Sequence, residues 1–133
     1  MEKNQSHEAQ LLMQARNELL QLHKTLVDSE SALYDRDWAR IRTAGQHLEL
    51  LLHDPWFAWL RRISALVAEI DEAFDSEVGM TAAESQRFLE RIRSLLKASE
   101  TGTEFERRYY AALQRDPAVV VAHGRMVRLL KAA

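Results

Sequence analysis

The stretch LMQARNELLQLHKTLVDSESAL, residues 12–33, decides the fold. Its apolar and small positions step by three and four residues, which is the spacing of one face of an α-helix. These positions are Leu12, Ala15, Leu19, Leu22, Leu26, Ser29 and Leu33. Leu20, Val27 and Tyr34 add a flanking stripe, so the apolar face is wider than a two-stranded coiled coil needs. We therefore predict a long helix from residue 6 to about residue 40, packed inside a bundle.

The dipeptide Asp-Pro, at residues 54–55 and 116–117, predicts the start of two further helices. Aspartate caps the free N–H groups of a helix, and proline suits its first position. A short helix is expected at about 43–53, ending where the first Asp-Pro begins. The next helix is expected over 55–75. On a straight helix Phe57 points away from the apolar face.

Threonine followed three residues later by glutamate predicts two more helix starts. The pairs are Thr81 with Glu84 and Thr103 with Glu106, and each matches a capping box. The chain contains only two prolines and four glycines, which leaves long stretches free to be helical. We predict an all-α fold, an antiparallel helical bundle of about four main helices plus one or two short helices, forming a single domain over residues 1–133.

Composition and charge exclude several classes of protein. The 133 residues carry 18 basic and 20 acidic side chains, a net charge of −2 that gives no general attraction for nucleic acid. The chain has no cysteine, which excludes disulfides and thiolate chemistry. The first ten residues are polar and no apolar run approaches the length of a membrane span. We expect a cytoplasmic protein that binds neither nucleic acid nor membrane.

Side chains that could carry chemistry are dispersed. The five histidines are His7, His23, His47, His53 and His123. None lies in a Glu-x-x-His or His-x-x-x-His pattern, and the spacing of Glu49 and His53 fits an ion pair on one helix face better than a metal site. No phosphate-binding loop or nucleophile elbow is present. We expect no metal, no cofactor and no catalytic residue, and therefore no enzyme.

Two charge clusters have a structural and a functional interpretation. Residues 69–77 contain five acids and no base. We expect Asp71 and Asp75 to lie beside the next helix and pair with Arg87 and Arg91, rather than to bind calcium. The C-terminal segment from residue 107 contains six basic residues and one acid, which fits either an anionic partner or favourable helix ends.

The densest aromatic cluster is LLHDPWFAWLRR, residues 51–62. Trp56, Phe57 and Trp59, together with Tyr109, are the candidate interaction or pocket residues, since clustered aromatics form both binding hot spots and ligand pockets. The alternative is that they anchor the core, which is the commoner role. We expect a non-enzymatic interaction or structural module acting through a helical face, as a homo-oligomer or with an unknown protein partner. The alternative is a small-ligand or sensor bundle with its pocket near Trp56 and Trp59.

Two longer motifs carry a resemblance to a known family. LLHDPWFAWLRRISALVAEIDE at 51–72 and YYAALQRDPAVVVAH at 109–123 resemble a family of small bacterial all-helical proteins of uncharacterised function. The resemblance implies a soluble bacterial helical bundle and assigns no activity or functional residue. Members of that family often carry proline where this chain has Arg62, so the resemblance implies a bend near Arg61 as the alternative to a straight helix over 55–75.

Overall fold

The computed structural model describes residues 6–132, and that part of the chain is helical with no strand. Six α-helices follow in order, with a 3₁₀ helix, Pro55–Leu60, between the second and third. They are α1 (His7–Asp37), α2 (Ala44–His53), α3 (Arg61–Phe74), α4 (Ala82–Leu95), α5 (Glu104–Arg115) and α6 (Pro117–Lys131). The prediction of an all-α bundle is confirmed.

Helix α1 is the axis of the bundle, and α3, α4 and α6 pack directly against it. Its predicted stripe forms the core, with Leu12, Leu19, Leu22 and Leu26 fully buried. The helix ends at Asp37, a few residues before the predicted end. Because this stripe faces three helices rather than one, its extra width is used inside the fold.

Side-chain contacts between α1 and the segment containing α3 fix their relative direction. Asp71, near the end of α3, pairs with Arg16 in the first half of α1. Trp59, just before α3, contacts Glu30 in the second half of α1. This segment therefore runs antiparallel to α1, and the end of α3 lies at the end of the bundle where α1 begins.

The 3₁₀ helix changes where the aromatic side chains point. Asp54 caps it by accepting a hydrogen bond from the Trp56 N–H at 2.8 Å, as predicted. The backbone becomes α-helical only at Arg61, where the bend was expected. A 3₁₀ helix has three residues per turn, so Phe57 and Leu60 lie on the same side, and both are buried. The expectation that Phe57 points away from the packed face is wrong for this reason.

The acids at the end of α3 pair differently from the prediction. Asp71 accepts two hydrogen bonds of 2.8 Å from Arg16, and Glu69 accepts bonds of 3.1 and 2.8 Å from Arg91. The hydrogen bonds from these arginines hold the pKa of each carboxyl below its usual range. The expected pairing of Asp71 with Arg87 or Arg91 is wrong, because α1 packs beside α3 and brings Arg16 to it.

Both predicted threonine caps form, and Thr43 caps α2 in the same way. Thr43, Thr81 and Thr103 each accept a hydrogen bond from the backbone N–H three residues on. The reciprocal half of the capping box is present at Thr103, whose own N–H donates to Glu106 at 2.8 Å. The Glu84 carboxylate instead accepts from the hydroxyl of Thr81, so only half of that predicted box is present. None of the helices over residues 6–132 has the length and apolarity to cross a membrane.

Candidate functional site

Helix α2 has polar contacts at both of its ends. At its start the Arg42 N–H donates to the Gln46 side chain at 2.9 Å, beside the threonine cap. At its end Arg61 donates to the carbonyl oxygens of Leu51 and Asp54, at 3.0 and 2.8 Å. These contacts satisfy backbone groups that a helix end leaves free. A ten-residue helix, too short to be stable alone, is thereby positioned.

The apolar side chains of α2 are only partly used by the core. The helix has no buried residue, although four of its ten residues are leucine. Leu50 and Leu51 are half-buried against the core, whereas Leu48 and Leu52 are 56% and 53% exposed. Because Leu48 and Leu52 are one turn apart, they lie on the same side of the helix.

An exposed tryptophan lies at the same end of the bundle. Trp38 follows the last residue of α1 and is 68% exposed. Its ring packs edge-on against the ring of Trp56, with centroids 6.0 Å apart. We call Trp38, Leu48 and Leu52 the α2 face. Single exposed leucines are ordinary, but apolar side chains concentrated at one end of a small domain are typical of interaction sites.

A cavity of about 550 Å³ opens between the end of α1, the following loop and α2. Tyr34, Ile41 and Leu50 give it apolar walls, and Arg40 and Glu49 contribute charged side chains. Tyr34 also contacts Trp56, with ring centroids 6.2 Å apart. The volume lies within the range of small-molecule sites, and it is equally able to accept one apolar side chain of a partner.

The loop beside the α2 face is basic. Residues 38–49 contain two arginines, Arg40 and Arg42, and one acid, Glu49, which lies 3.8 Å from His53. Both arginines are exposed. An apolar surface with exposed cations at its edge favours a partner segment that combines apolar and acidic side chains.

The four predicted site residues lie mostly inside the molecule. Phe57, Trp59 and Tyr109 are buried, and only Trp56 is half-buried. Trp59 packs on Phe105 with ring centroids 5.2 Å apart. The structure therefore brings Trp56 to the edge of the α2 face, through Trp38, and places the other three in the core.

A buried carboxylate adjoins this aromatic cluster. Glu30 is 3% exposed and accepts hydrogen bonds from the Trp59 indole N–H at 3.1 Å and from Arg115 at 2.7 Å. Arg108 lies 3.8 Å from the same carboxylate and stacks over the ring of Trp56 at 4.7 Å. We call these residues the Glu30 network.

The Glu30 network connects α1, the 3₁₀ helix and α5. It leaves neither carboxylate oxygen of Glu30 without a hydrogen-bond partner, so Glu30 is not placed as a free acid or base. Arg108 also donates to the Trp56 carbonyl oxygen at 2.6 Å, which joins α5 to the 3₁₀ helix. Two of the six basic residues in the C-terminal segment are thus used inside the fold, which weakens the anionic-partner interpretation of that segment.

Glu30 and its arginines were missed as a group by the sequence analysis. Glu30 lies three residues after Val27 and four before Tyr34, within the flanking apolar stripe. A glutamate at an apolar position of a helix is a signal for a buried ion pair. Its partners, Arg108 and Arg115, are seven residues apart and so share one face of α5, but nothing local links them to Glu30.

Two histidines make partly buried hydrogen bonds, and one of these bonds joins Ser31 Oγ and His47 Nε2 at 2.7 Å. The Tyr109 hydroxyl lies 2.5 Å from Nδ1 of His123. Burial raises the pKa of the Tyr109 phenol and lowers the pKa of His123, so both groups are neutral at pH 7. Across the described residues, 6–132, no three His, Asp or Glu side chains lie close enough together to bind a metal ion. His7, His23, His47 and His53 do not join His123 in a cluster of that kind.

Comparison with known proteins finds no match among protein-family models, curated proteins or solved structures.

Proposed function

We propose that this protein is a non-enzymatic interaction module that binds a protein partner through the α2 face. The proposal depends on a contrast between the ends of α2 and its outer surface. Its two ends are capped by specific polar contacts, whereas its outer leucines are more than half exposed. A helix that contributes no buried residue to the core gains little for the fold from outward-facing leucines.

Each side chain of the α2 face would gain free energy if a partner covered it. Leu48 and Leu52 are already nearly half buried, so a partner that buries the rest of each gains roughly half of the 1.5–3 kcal/mol that a fully exposed leucine would contribute. Tryptophan is among the residues most enriched at binding hot spots. Trp38 is already oriented by its contact with Trp56, so a partner would order few further side chains on binding. The neighbouring cavity provides a recess for one anchoring side chain.

Site-specific photo-crosslinking in cells tests the proposal. A photoreactive amino acid replaces Leu48 in one variant and Val121 in the control. Val121 has the same 56% exposure but lies on α6. We expect a discrete protein adduct from position 48 that disappears when Leu52→Gln is added. No adduct at position 48, or equal adducts at both positions, would overturn the proposal.

A small-ligand site is a second candidate, because the cavity of about 550 Å³ lies beside the aromatic cluster. A ligand bound there would contact Tyr34. The ring centroids of Tyr34 and Trp56 are 6.2 Å apart, so the ligand would also alter the environment of Trp56. Titration of tryptophan fluorescence against a metabolite library tests this function. A saturable change that is lost in Ile41→Lys would support it, and no response from any compound would count against it.

A further inference from the structure

Another exposed apolar residue, Val78, lies at the opposite end of the molecule from the α2 face. Val78 is 86% exposed and stands in a tight turn after α3. The Gly79 N–H closes the turn on the Ser76 carbonyl oxygen at 3.0 Å, and Gly79 adopts a φ of 74° that suits glycine. The turn therefore presents Val78 to solvent through defined geometry. We call residues 76–79 the Val78 turn.

The helix that leads into the Val78 turn ends in an acidic segment. Glu69 and Asp71 are engaged by arginines of the same molecule, whereas Glu72 and Asp75 are exposed at the end of α3. Negative charge at a helix C-terminus is unfavourable by some tenths of a kcal/mol per residue. A cationic partner would offset that cost, so this end of the molecule favours a basic surface.

The Val78 turn and the α2 face cannot meet within one molecule. Asp71 lies beside Arg16 on α1, and Trp38 caps the far end of the same helix. The 22 residues between Arg16 and Trp38 span roughly 33 Å at the rise of an α-helix. Any contact between the two ends must therefore be made between two molecules.

We propose that the partner of the α2 face is a second copy of this chain, docked head to tail through its Val78 turn. In this arrangement Val78 enters the cavity beside α2, and Glu72 and Asp75 face Arg40 and Arg42. The inference rests on the proposed function of the α2 face. Apolar and basic groups on one end match apolar and acidic groups on the other, which is the complementarity that a docking contact needs.

Symmetric pairing of two α2 faces is disfavoured by the same charges. It would bring the Arg40 and Arg42 pairs of two copies towards each other, and like charges at an interface repel. Head-to-tail docking leaves one free face and one free turn in every dimer. Further copies can therefore add, and the assembly grows with protein concentration or closes into a ring.

Mixing two purified variants tests the docking geometry by native mass spectrometry. Leu48→Asp damages the α2 face and leaves the turn intact, whereas Val78→Lys damages the turn and leaves the face intact. Each variant alone is expected to associate at least tenfold more weakly than the parent chain. The equimolar mixture is expected to form a one-to-one heterodimer that grows no further. Val121→Lys, a matched change on α6, is expected to associate like the parent.

The outcomes separate this inference from the function on which it rests. If Val78→Lys associates like the parent while Leu48→Asp does not, the α2 face pairs with itself. That result overturns head-to-tail docking and keeps the face as a binding surface. A parent chain that stays monomeric at every accessible concentration also overturns the inference, and the crosslinking test then decides the proposed function. Val78→Ser, which adds no charge, checks the turn if Val78→Lys fails to fold.

Discussion

Replacement of Glu30 by alanine tests how much the Glu30 network contributes to the stability of the fold. The carboxylate is almost fully buried and receives the Trp59 N–H at 3.1 Å and Arg115 at 2.7 Å, with Arg108 at 3.8 Å. Its removal leaves an indole N–H and two guanidinium groups without their anion. Breaking a buried ion pair in this way costs about 3–5 kcal/mol. Both arginine side chains are about a third exposed and can recruit water, so we expect a loss near the lower limit, about 3 kcal/mol.

Urea unfolding followed by circular dichroism measures this loss. Small domains have total stabilities of about 5–15 kcal/mol, so a loss of about 3 kcal/mol would shift the unfolding midpoint clearly. Glu49→Ala is the control, because Glu49 is exposed and lies 3.8 Å from His53 across an exposed pair. We expect the control to change stability by less than about 0.5 kcal/mol. If Glu30→Ala loses less than about 1 kcal/mol of unfolding free energy, the Glu30 network does not hold the fold together. Apolar packing would then be the main interaction that attaches α5 to the bundle.

Three further predictions follow from packing, capping and protonation. Phe57→Ala should reduce the free energy of unfolding by about 3–5 kcal/mol, because the ring is fully buried; a loss near zero in urea unfolding would contradict its place in the core. Thr103→Ala should cost about 1 kcal/mol in the same assay, because it removes the acceptor of the Glu106 N–H; an unchanged midpoint would show that the cap is not needed. Burial lowers the pKa of His123 below its ordinary value of 6.5. As the pH falls, His123 therefore takes up its proton in the unfolded chain before it does so in the folded one, and the free energy of unfolding should decrease below about pH 6.5. A series of urea titrations across pH measures this slope, which His123→Gln should reduce; an equal slope in both proteins would contradict the assignment.

The backbone of the bundle is predictable from sequence because its signals are local. The heptad spacing of α1, the threonine caps and the Asp-Pro pairs each act within a few residues, and each lies where expected. The buried stripe of α1 follows directly from that spacing. These features need no knowledge of which helices become neighbours.

The details that depend on neighbours were not predictable. Asp71 could be assigned to Arg87 or Arg91 on sequence grounds, but its partner is Arg16, 55 residues away. Phe57 was expected off the packed face because spacing alone does not distinguish a 3₁₀ turn from an α-helix. In each case several local arrangements are equally compatible with the sequence. The packing of the helices against one another decides which of them forms.

The candidate site was only partly predictable for a related reason. Sequence shows that Trp56, Phe57 and Trp59 are clustered aromatics, and Tyr109 was a further candidate. Three of these four residues form core rather than surface. Leucines such as Leu48 look the same in a sequence whether they are buried or exposed. Only the packing of α2 shows which leucines face solvent. The resemblance to a family of small bacterial helical proteins stays a prediction, since nothing in the comparisons bears on it.

Hydrogen exchange at low and high protein concentration tests the central claim most directly. The claim is that the α2 face is a binding surface and that its partner is the Val78 turn of a second copy. At high concentration we expect slower exchange in residues 38–53 and in residues 76–80, with α4 and α6 unchanged. Exchange that is independent of concentration in both segments, or protection confined to α6, would contradict the claim.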